Sequence, residues 1–387
     1  MTRFPLLVTR PSLLVGSDLK SGGISRRRAL LLLGSALCAP VSLARETSNE
    51  QRVTPFAPVV PGYRMQFPRD EGSHPEFRIE WWYITGWLNE ATRPLGFQIT
   101  FFRARPGLKH DNPSAFTPRQ IMVAHAALSD PSHGRLIHAQ RAARDGFALA
   151  GADTDRTRVW IDDWRLQQVE TSYRARVLAQ EFSLELECAA TQPPLLQGEN
   201  GLSRKGPAPE SASYYYSLPH LKVEGKLTRG GEPLRVAGTA WLDHEWSSQY
   251  LEQDATGWDW IGINLADGSA LMAFRMRDQQ GGQFWAGGAL RRADGSLRVF
   301  SPEDIRFTPR REWRSARTGT RYPVSWTVKA GDLEIAVEPL FDDQEHDTRA
   351  STGTIYWEGA ARAIIDGKPA GRGYLELTGY WRPVNLA

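Results

Sequence analysis

Gly238-Thr239-Ala240-Trp241-Leu242-Asp243-His244-Glu245-Trp246-Ser247-Ser248-Gln249-Tyr250-Leu251 is an apolar run that opens into three consecutive titratable side chains held between two tryptophans. Read as a strand, it places Trp241, Asp243 and Glu245 on one face and Leu242, His244 and Trp246 on the other, because successive side chains alternate sides. Glu80-Trp81-Trp82-Tyr83 has the same character, and Ile79, Ile84 and Thr85 mark it as a strand. Alternation there puts Glu80 with Trp82, and Trp81 with Tyr83. We expect these two stretches to meet inside a β-barrel and to line one pocket.

The same short alternating runs recur outward from them. Before Gly238 they cover residues 79–88, 95–103, 121–129, 159–161, 165–166, 173–178, 182–189, 221–227 and 234–242. Phe97, Ile99 and Phe101 share one face against Gln98, Thr100 and Phe102. Almost no segment sustains a helical period, so the chain reads as antiparallel β, in a sandwich or a barrel. After Tyr250 the pattern restarts at 258–265, 270–276, 283–290, 297–300, 324–329, 333–339, 355–364 and 371–377, with Asp267-Gly268 and Asp294-Gly295 as hairpin turns. That is a second β unit. Residues 192–213, rich in Pro, Gly, Ser and charge, read as a long loop that is either a lid over a barrel mouth or disordered. Arg291-Arg292 and Arg310-Arg311 read as solvated strand ends.

The length, 387 residues, suggests two or three domains. A hydrophobic content of 41% with 14 Trp excludes a disordered chain, and a mean hydropathy of −0.43 excludes a polytopic membrane protein. The formal charge is +3, but residues 1–44 hold six basic side chains against Asp18, so without them it becomes −2. A near-neutral protein gives no electrostatic case for nucleic acid. Ser25-Arg26-Arg27-Arg28-Ala29-Leu30-Leu31, the apolar stretch 29–39 and the small-residue site Ser42-Leu43-Ala44 read as a twin-arginine export signal. The expected location is periplasmic or secreted, with no stable membrane span after processing. Cys38 leaves with that segment, and Cys188 in Leu184–Cys188 reads as a buried strand residue.

Eight scattered histidines show no His-x-x-x-His pair, so no metal and no cofactor is expected. Phosphate loops and the Gly-x-Ser-x-Gly elbow are absent. What remains is acid among aromatics. A carboxyl or imidazole in a water-poor aromatic pocket has a shifted pKa and serves as a general acid near neutrality, and aromatic faces stabilise a cation. Together these suit protonation of a carbon–carbon double bond followed by water addition. They equally suit simple retention of an apolar ligand.

Glu80-Trp81-Trp82-Tyr83, Tyr215-Tyr216-Ser217-Leu218-Pro219 and Ala240–Trp246 resemble the AttH/CrtC-like family of predicted secreted hydrolases, which includes the carotenoid hydratases. The resemblance implies an all-β fold of two tandem lipocalin-like antiparallel β-barrels, here 63–249 and 250–387 after a signal at 1–44 and an extended leader at 45–62. It implies that His244 and Trp246 match a His-x-Trp pair implicated in hydrating an isoprenoid double bond. A Tyr-x-Asp pair is also implicated, and the nearby stretch reads Trp258-Asp259-Trp260. The expected catalytic residues are His244, Asp243 and Glu80, and the expected ligand-binding residues are Trp246, Trp82, Tyr83, Glu245, Tyr215 and Trp241. The expected partner is a hydrophobic isoprenoid or lipid. The alternative is a non-enzymatic lipid-binding or accessory component working with an ABC transporter permease.

Overall fold

The computed structural model describes residues 56–90, 93–107, 114 and 116–384. The expected export signal, and residues 45–55 of the expected leader, lie outside the described residues. Among the described residues the only helical element is a 3-10 turn, Arg69–Glu71, and no helix is long and apolar enough to cross a membrane. Everything else regular is antiparallel strand.

The first sheet contains β1 (Ile79–Glu90), β2 (Arg93–Ala104), β3 (Ile121–Ser129), β4 (Ile137–Arg144), β5 (Ala150–Ala152), β6 (Arg158–Ile161), β7 (Trp164–Val169), β8 (Ser172–Leu178), β9 (Phe182–Ala189), β10 (Leu195–Leu196), β11 (Leu202–Arg204), β12 (Ala212–Arg229) and β13 (Glu232–Gln249). Its order is β4-β3-β2-β1-β13-β12-β9-β8-β7-β6-β5, with β10 and β11 added against β12. The two ends approach each other. Arg141 of β4 donates to the Ile161 carbonyl of β6 and lies over the Trp164 ring, 4.8 Å from its centroid, which nearly closes a barrel. Period-two burial drives the curling: in β9, Phe182, Leu184, Leu186 and Cys188 are buried while Glu185 and Glu187 face water. Burial pushes the Cys188 thiol up to about 12, which suits an inert core residue.

The second sheet contains β14 (Gly257–Leu265), β15 (Ala270–Arg277), β16 (Gln283–Arg291), β17 (Leu297–Phe300), β18 (Ile305–Arg314), β19 (Arg321–Ala330), β20 (Leu333–Pro339), β21 (Glu345–Asp347), β22 (Ile355–Ile365) and β23 (Lys368–Leu377). Its order is β17-β16-β15-β14-β23-β22-β20-β19-β18, with β21 added against β22. Gln283 of β16 donates to the Ile305 carbonyl of β18 at 3.2 Å and brings the ends together. Gly268 and Gly295 take φ +91° and +85° in the Asp-Gly turns, where a Cβ would be strained.

Each barrel has its own apolar interior, and a third cluster joins them: Tyr83, Trp87, Tyr215, Trp241, Trp260, Met272, Phe274 and Tyr374 are all buried between the sheets. Thr54–Ala387 form one compact unit. The seam explains why β13 is buried on both faces from Ala240 to Ser248. Odd positions such as Trp241 and Asp243 face the seam, and even positions such as Leu242 and Trp246 face the first barrel's interior.

Two expectations are corrected here. Residues 192–213 are neither lid nor disorder; β10 and β11 pair with Tyr216–Ser217 and Ala212–Tyr214 of β12, making a strap along the seam. Arg291 is not a solvated strand end either. It is buried and donates to the Pro193 carbonyl at 2.7 Å, so it clasps the start of that strap.

Candidate functional site

On the barrel-interior face, β1 and β13 pair with Glu80 opposite Trp246 and Trp82 opposite His244, so all four side chains emerge together. Glu80 Oε1 accepts from His244 Nε2 at 2.9 Å and from His74 Nδ1 at 2.7 Å. Its Oε2 accepts from Arg103 Nε at 2.7 Å and from the His74 backbone N–H at 2.9 Å. With Nε2 donating to Glu80, His244 Nδ1 accepts the Tyr216 hydroxyl at 3.1 Å. The rings are fixed by stacking: His74 lies on Trp246 at 3.8 Å and 6°, and Trp82 on His244 at 4.8 Å and 22°.

Burial opposes the charge on Glu80, but Arg103 and His74 outweigh it and hold the carboxyl well below the usual range. Burial likewise opposes protonation of His74, yet Glu80 and Asp70 raise its pKa. His244 goes the other way, since burial depresses it more than Glu80 lifts it. The cluster is therefore an ion network, Arg103 and His74 cationic, Glu80 and Asp70 anionic, with a neutral His244 attached. A neutral imidazole bonded through both nitrogens is poorly placed to be a proton donor. One nitrogen each of His74 and His244 and one oxygen of Glu80 lie within 4.8 Å of one another, near enough to share a metal ion. All three are already satisfied by each other, and Arg103 already neutralises Glu80, so this donor set fits hydrogen bonding better than metal binding.

The other face carries the remaining expected residues. Asp243 Oδ1 accepts from Ser217 Oγ at 2.5 Å and Trp241 Nε1 at 2.7 Å, and burial pushes this carboxyl up to about 7. Glu245, also raised by burial, pairs with Lys205 Nζ of the strap at 2.7 Å. Burial lowers Lys205, whose ammonium sits 4.3 Å from the Phe274 ring centroid, 5.0 Å from Tyr215 and 5.1 Å from Tyr250. From the second sheet, Trp260 Nε1 donates to Tyr215 Oη at 3.2 Å, and its ring meets Trp241 at 6.5 Å and Tyr83 at 5.5 Å, both edge to face. The buried Tyr83 Oη, Tyr374 Oη and Glu358 Oε1 have no hydrogen-bond partner among the described residues. Beside this layer opens a groove of about 690 Å³, lined by Tyr63, Met65, Leu196, Met272, Phe274 and Trp285 among others.

The expectation of one pocket is thus corrected. Glu80, His244, Trp82 and Trp246 share the first barrel's interior, whereas Asp243, Glu245, Trp241, Tyr83 and Tyr215 share the seam, and the sheet separates the two sets. His74, Arg103 and Lys205 escaped the sequence reading because each comes from a segment without a motif. The Trp258-Asp259-Trp260 stretch contributes Trp260 to the seam but turns Asp259 into the second barrel, where it accepts from Arg275 Nε at 2.6 Å and Tyr380 Oη at 2.9 Å.

A family model described as AttH-like matches residues 58–380. The crystal structure of a protein assigned as an AttH from Nitrosomonas europaea is similar, with a TM-score of 0.79 and 54% identity over 84% of this chain and 100% of that one. Kievitone hydratase from Nectria haematococca is similar in fold, with a TM-score of 0.63 and 16% identity over 84% of this chain and 99% of the other. A search of curated proteins finds no match to the chain. The architecture is that of two lipocalin-like barrels in tandem. With a family match over most of its length and a solved relative at 54% identity, the chain belongs to the AttH-like family.

Proposed function

We propose that the protein binds an apolar, unsaturated small molecule of isoprenoid or lipid type at the seam, with Asp243 as the group that protonates its double bond. The observation that carries this is the Asp243 carboxyl, buried among Trp241, Tyr215 and Trp260 and raised to about 7, so that it still holds a proton near neutrality. The Asp243 proton goes to one alkene carbon, leaving a carbocation beside the faces of Trp241 and Trp260. Water adds to the cation, and the proton it loses returns to the Asp243 carboxylate. In this reading the ligand enters from the groove at Met272 and Phe274, which belong to the same buried layer as Trp241 and Tyr215. The name of the hydratase of similar fold supports this class of reaction. Export through residues 1–44 would put the site in the periplasm or outside the cell, where an ABC permease is a fitting delivery partner.

The test begins with mass spectrometry of whatever apolar molecule co-purifies from the native host, followed by incubation of that molecule with protein in D2O. Wild type is expected to incorporate deuterium at carbon, and Asp243→Asn to retain the molecule without incorporating it. Incorporation by Asp243→Asn would remove Asp243 from the mechanism. Retention without incorporation by wild type would assign the groove to a carrier.

A further inference from the structure

Many buried polar groups of the seam are answered within the protein. Asp243 accepts from Ser217 and Trp241, Glu245 pairs with Lys205, Tyr215 accepts from Trp260, and Tyr356 Oη bonds His125 Nδ1 at 2.9 Å. Tyr83 of the first sheet and Glu358 of the second do not follow. They are 7% and 3% exposed, yet Tyr83 Oη and Glu358 Oε1 have no hydrogen-bond partner among the described residues. An unpaired oxygen away from water is costly, so such atoms mark a place where something else supplies the bond.

Strand register shows what the two groups surround. Tyr83 stands directly opposite Asp243 across β1 and β13, and its ring meets Trp260 edge to face at 5.5 Å. Glu358 stands opposite Glu376 across β22 and β23, and Glu376 stands opposite Trp260 across β23 and β14. Asp243 and Tyr83 on one sheet therefore meet Trp260, Glu376 and Glu358 on the other. Glu376 is only partly buried although it lies on the seam face, so this row is not packed solid. Burial keeps the Tyr83 hydroxyl and the Glu358 carboxyl protonated, and neighbouring carboxyls raise both further, Glu358 and Glu376 acting on Tyr83 and Glu376 acting on Glu358. Two neutral O–H groups complement an oxygen that has lone pairs and no proton, which is a carbonyl. They do not complement a cation, which needs ionised carboxylates, or a plain hydrocarbon, which would leave both unpaired.

We propose that the seam ligand carries a carbonyl oxygen, which accepts hydrogen bonds from Tyr83 Oη and Glu358 and is held there with the ligand's double bond toward Asp243. The inference rests on the seam being the ligand site, and it narrows the ligand to a ketone or similar carbonyl compound with an isoprenoid or lipid body. The test is titration of the purified protein, followed by its tryptophan fluorescence, with farnesylacetone, an isoprenoid ketone, and with farnesene, an isoprenoid hydrocarbon. Wild type is expected to bind the ketone about tenfold more tightly. Tyr83→Phe and Glu358→Met each remove a group that has no partner in the protein, so both are expected to melt no lower than wild type and to cut the preference to about threefold or less. Equal affinity of wild type for the two molecules would overturn the carbonyl and leave the apolar seam site standing, with water meeting the two oxygens. A wild type that binds neither molecule would overturn both readings. Full preference retained in both variants would remove Tyr83 and Glu358 from recognition and overturn the proposal. Melting well below wild type in both would overturn it as well, by showing that the two groups are already bonded within the protein.

Discussion

Glu80 accepts hydrogen bonds from one guanidinium, two imidazoles and a backbone N–H, and none of these donors can turn to water for a replacement. Glu80→Gln keeps the volume and removes the charge, leaving Arg103 buried without its carboxylate and His74 with Asp70 alone. Its expected cost is about 3–5 kcal/mol, the range for breaking one partner out of a buried pair, read as a lowered midpoint in urea unfolding. A change under about 1 kcal/mol would show that the pairing does little for the folded state. Alternation told which side chains share a face at Glu80 and His244, because period two is a property of the strand alone. It could not tell what each face meets. His74 stands in a loop and Arg103 sits 23 residues away on β2, so the closing of the network depends on tertiary contacts.

At the scale of elements, the alternating stretches were legible where one face was apolar, as in β8 and β9. They were illegible where the core demands little. β4, Ile-His-Ala-Gln-Arg-Ala-Ala-Arg, buries few large side chains, and β18 carries Pro309 and mostly exposed residues. The strap at 192–213 was misread because its composition suits a loop, while its order comes from the partner strand and from Lys205. Lys205→Met should therefore weaken the strap in a pH-dependent way. Without the ammonium, the raised Glu245 carboxyl goes higher still. Stability contributed by its protonated form is present at low pH and lost as pH rises through that value. Melting temperatures should fall further below wild type on the alkaline side than on the acid side, and equal losses at both would exclude the pairing as the cause. Backbone approach sets a second constraint: a Cβ on Gly238 would stand 1.8 Å from the Trp87 carbonyl oxygen. Gly238→Ala should separate β1 from β13 and cost about 3 kcal/mol in the same unfolding assay.

Across the whole molecule the seam is a place where protonation and assembly of the two barrels are linked. His125 and His138 come from the first sheet and His346 from the second, with the His346 ring 5.2 Å and 4.6 Å from the other two. His125 is held by Tyr356 Oη at 2.9 Å and Ser351 Oγ at 3.0 Å, whereas neither nitrogen of His346 has a partner among the described residues. Burial keeps all three neutral, with His125 lowered to about 3, and around His138 the carboxylate of Asp347 is offset by Arg317 and Arg135. In the unfolded chain each would take its proton near the ordinary value of 6.5. The stability tied to neutral histidines is thus complete above about 6.5 and lost as pH falls toward 3, on the order of 4 kcal/mol for His125 alone. Asp243 and Glu376, raised by burial to about 7, act oppositely: what their protonated forms contribute is present at acid pH and lost as pH rises through 7. The two windows overlap between about 4 and 6.5, where the histidines' loss on acidification is partly offset by the two carboxyls. His346→Phe should therefore flatten the acid limb of the melting temperature, and Asp243→Asn should steepen it. If His346→Phe left the acid limb as steep as in wild type, acid unfolding would have to start inside the barrels rather than between them.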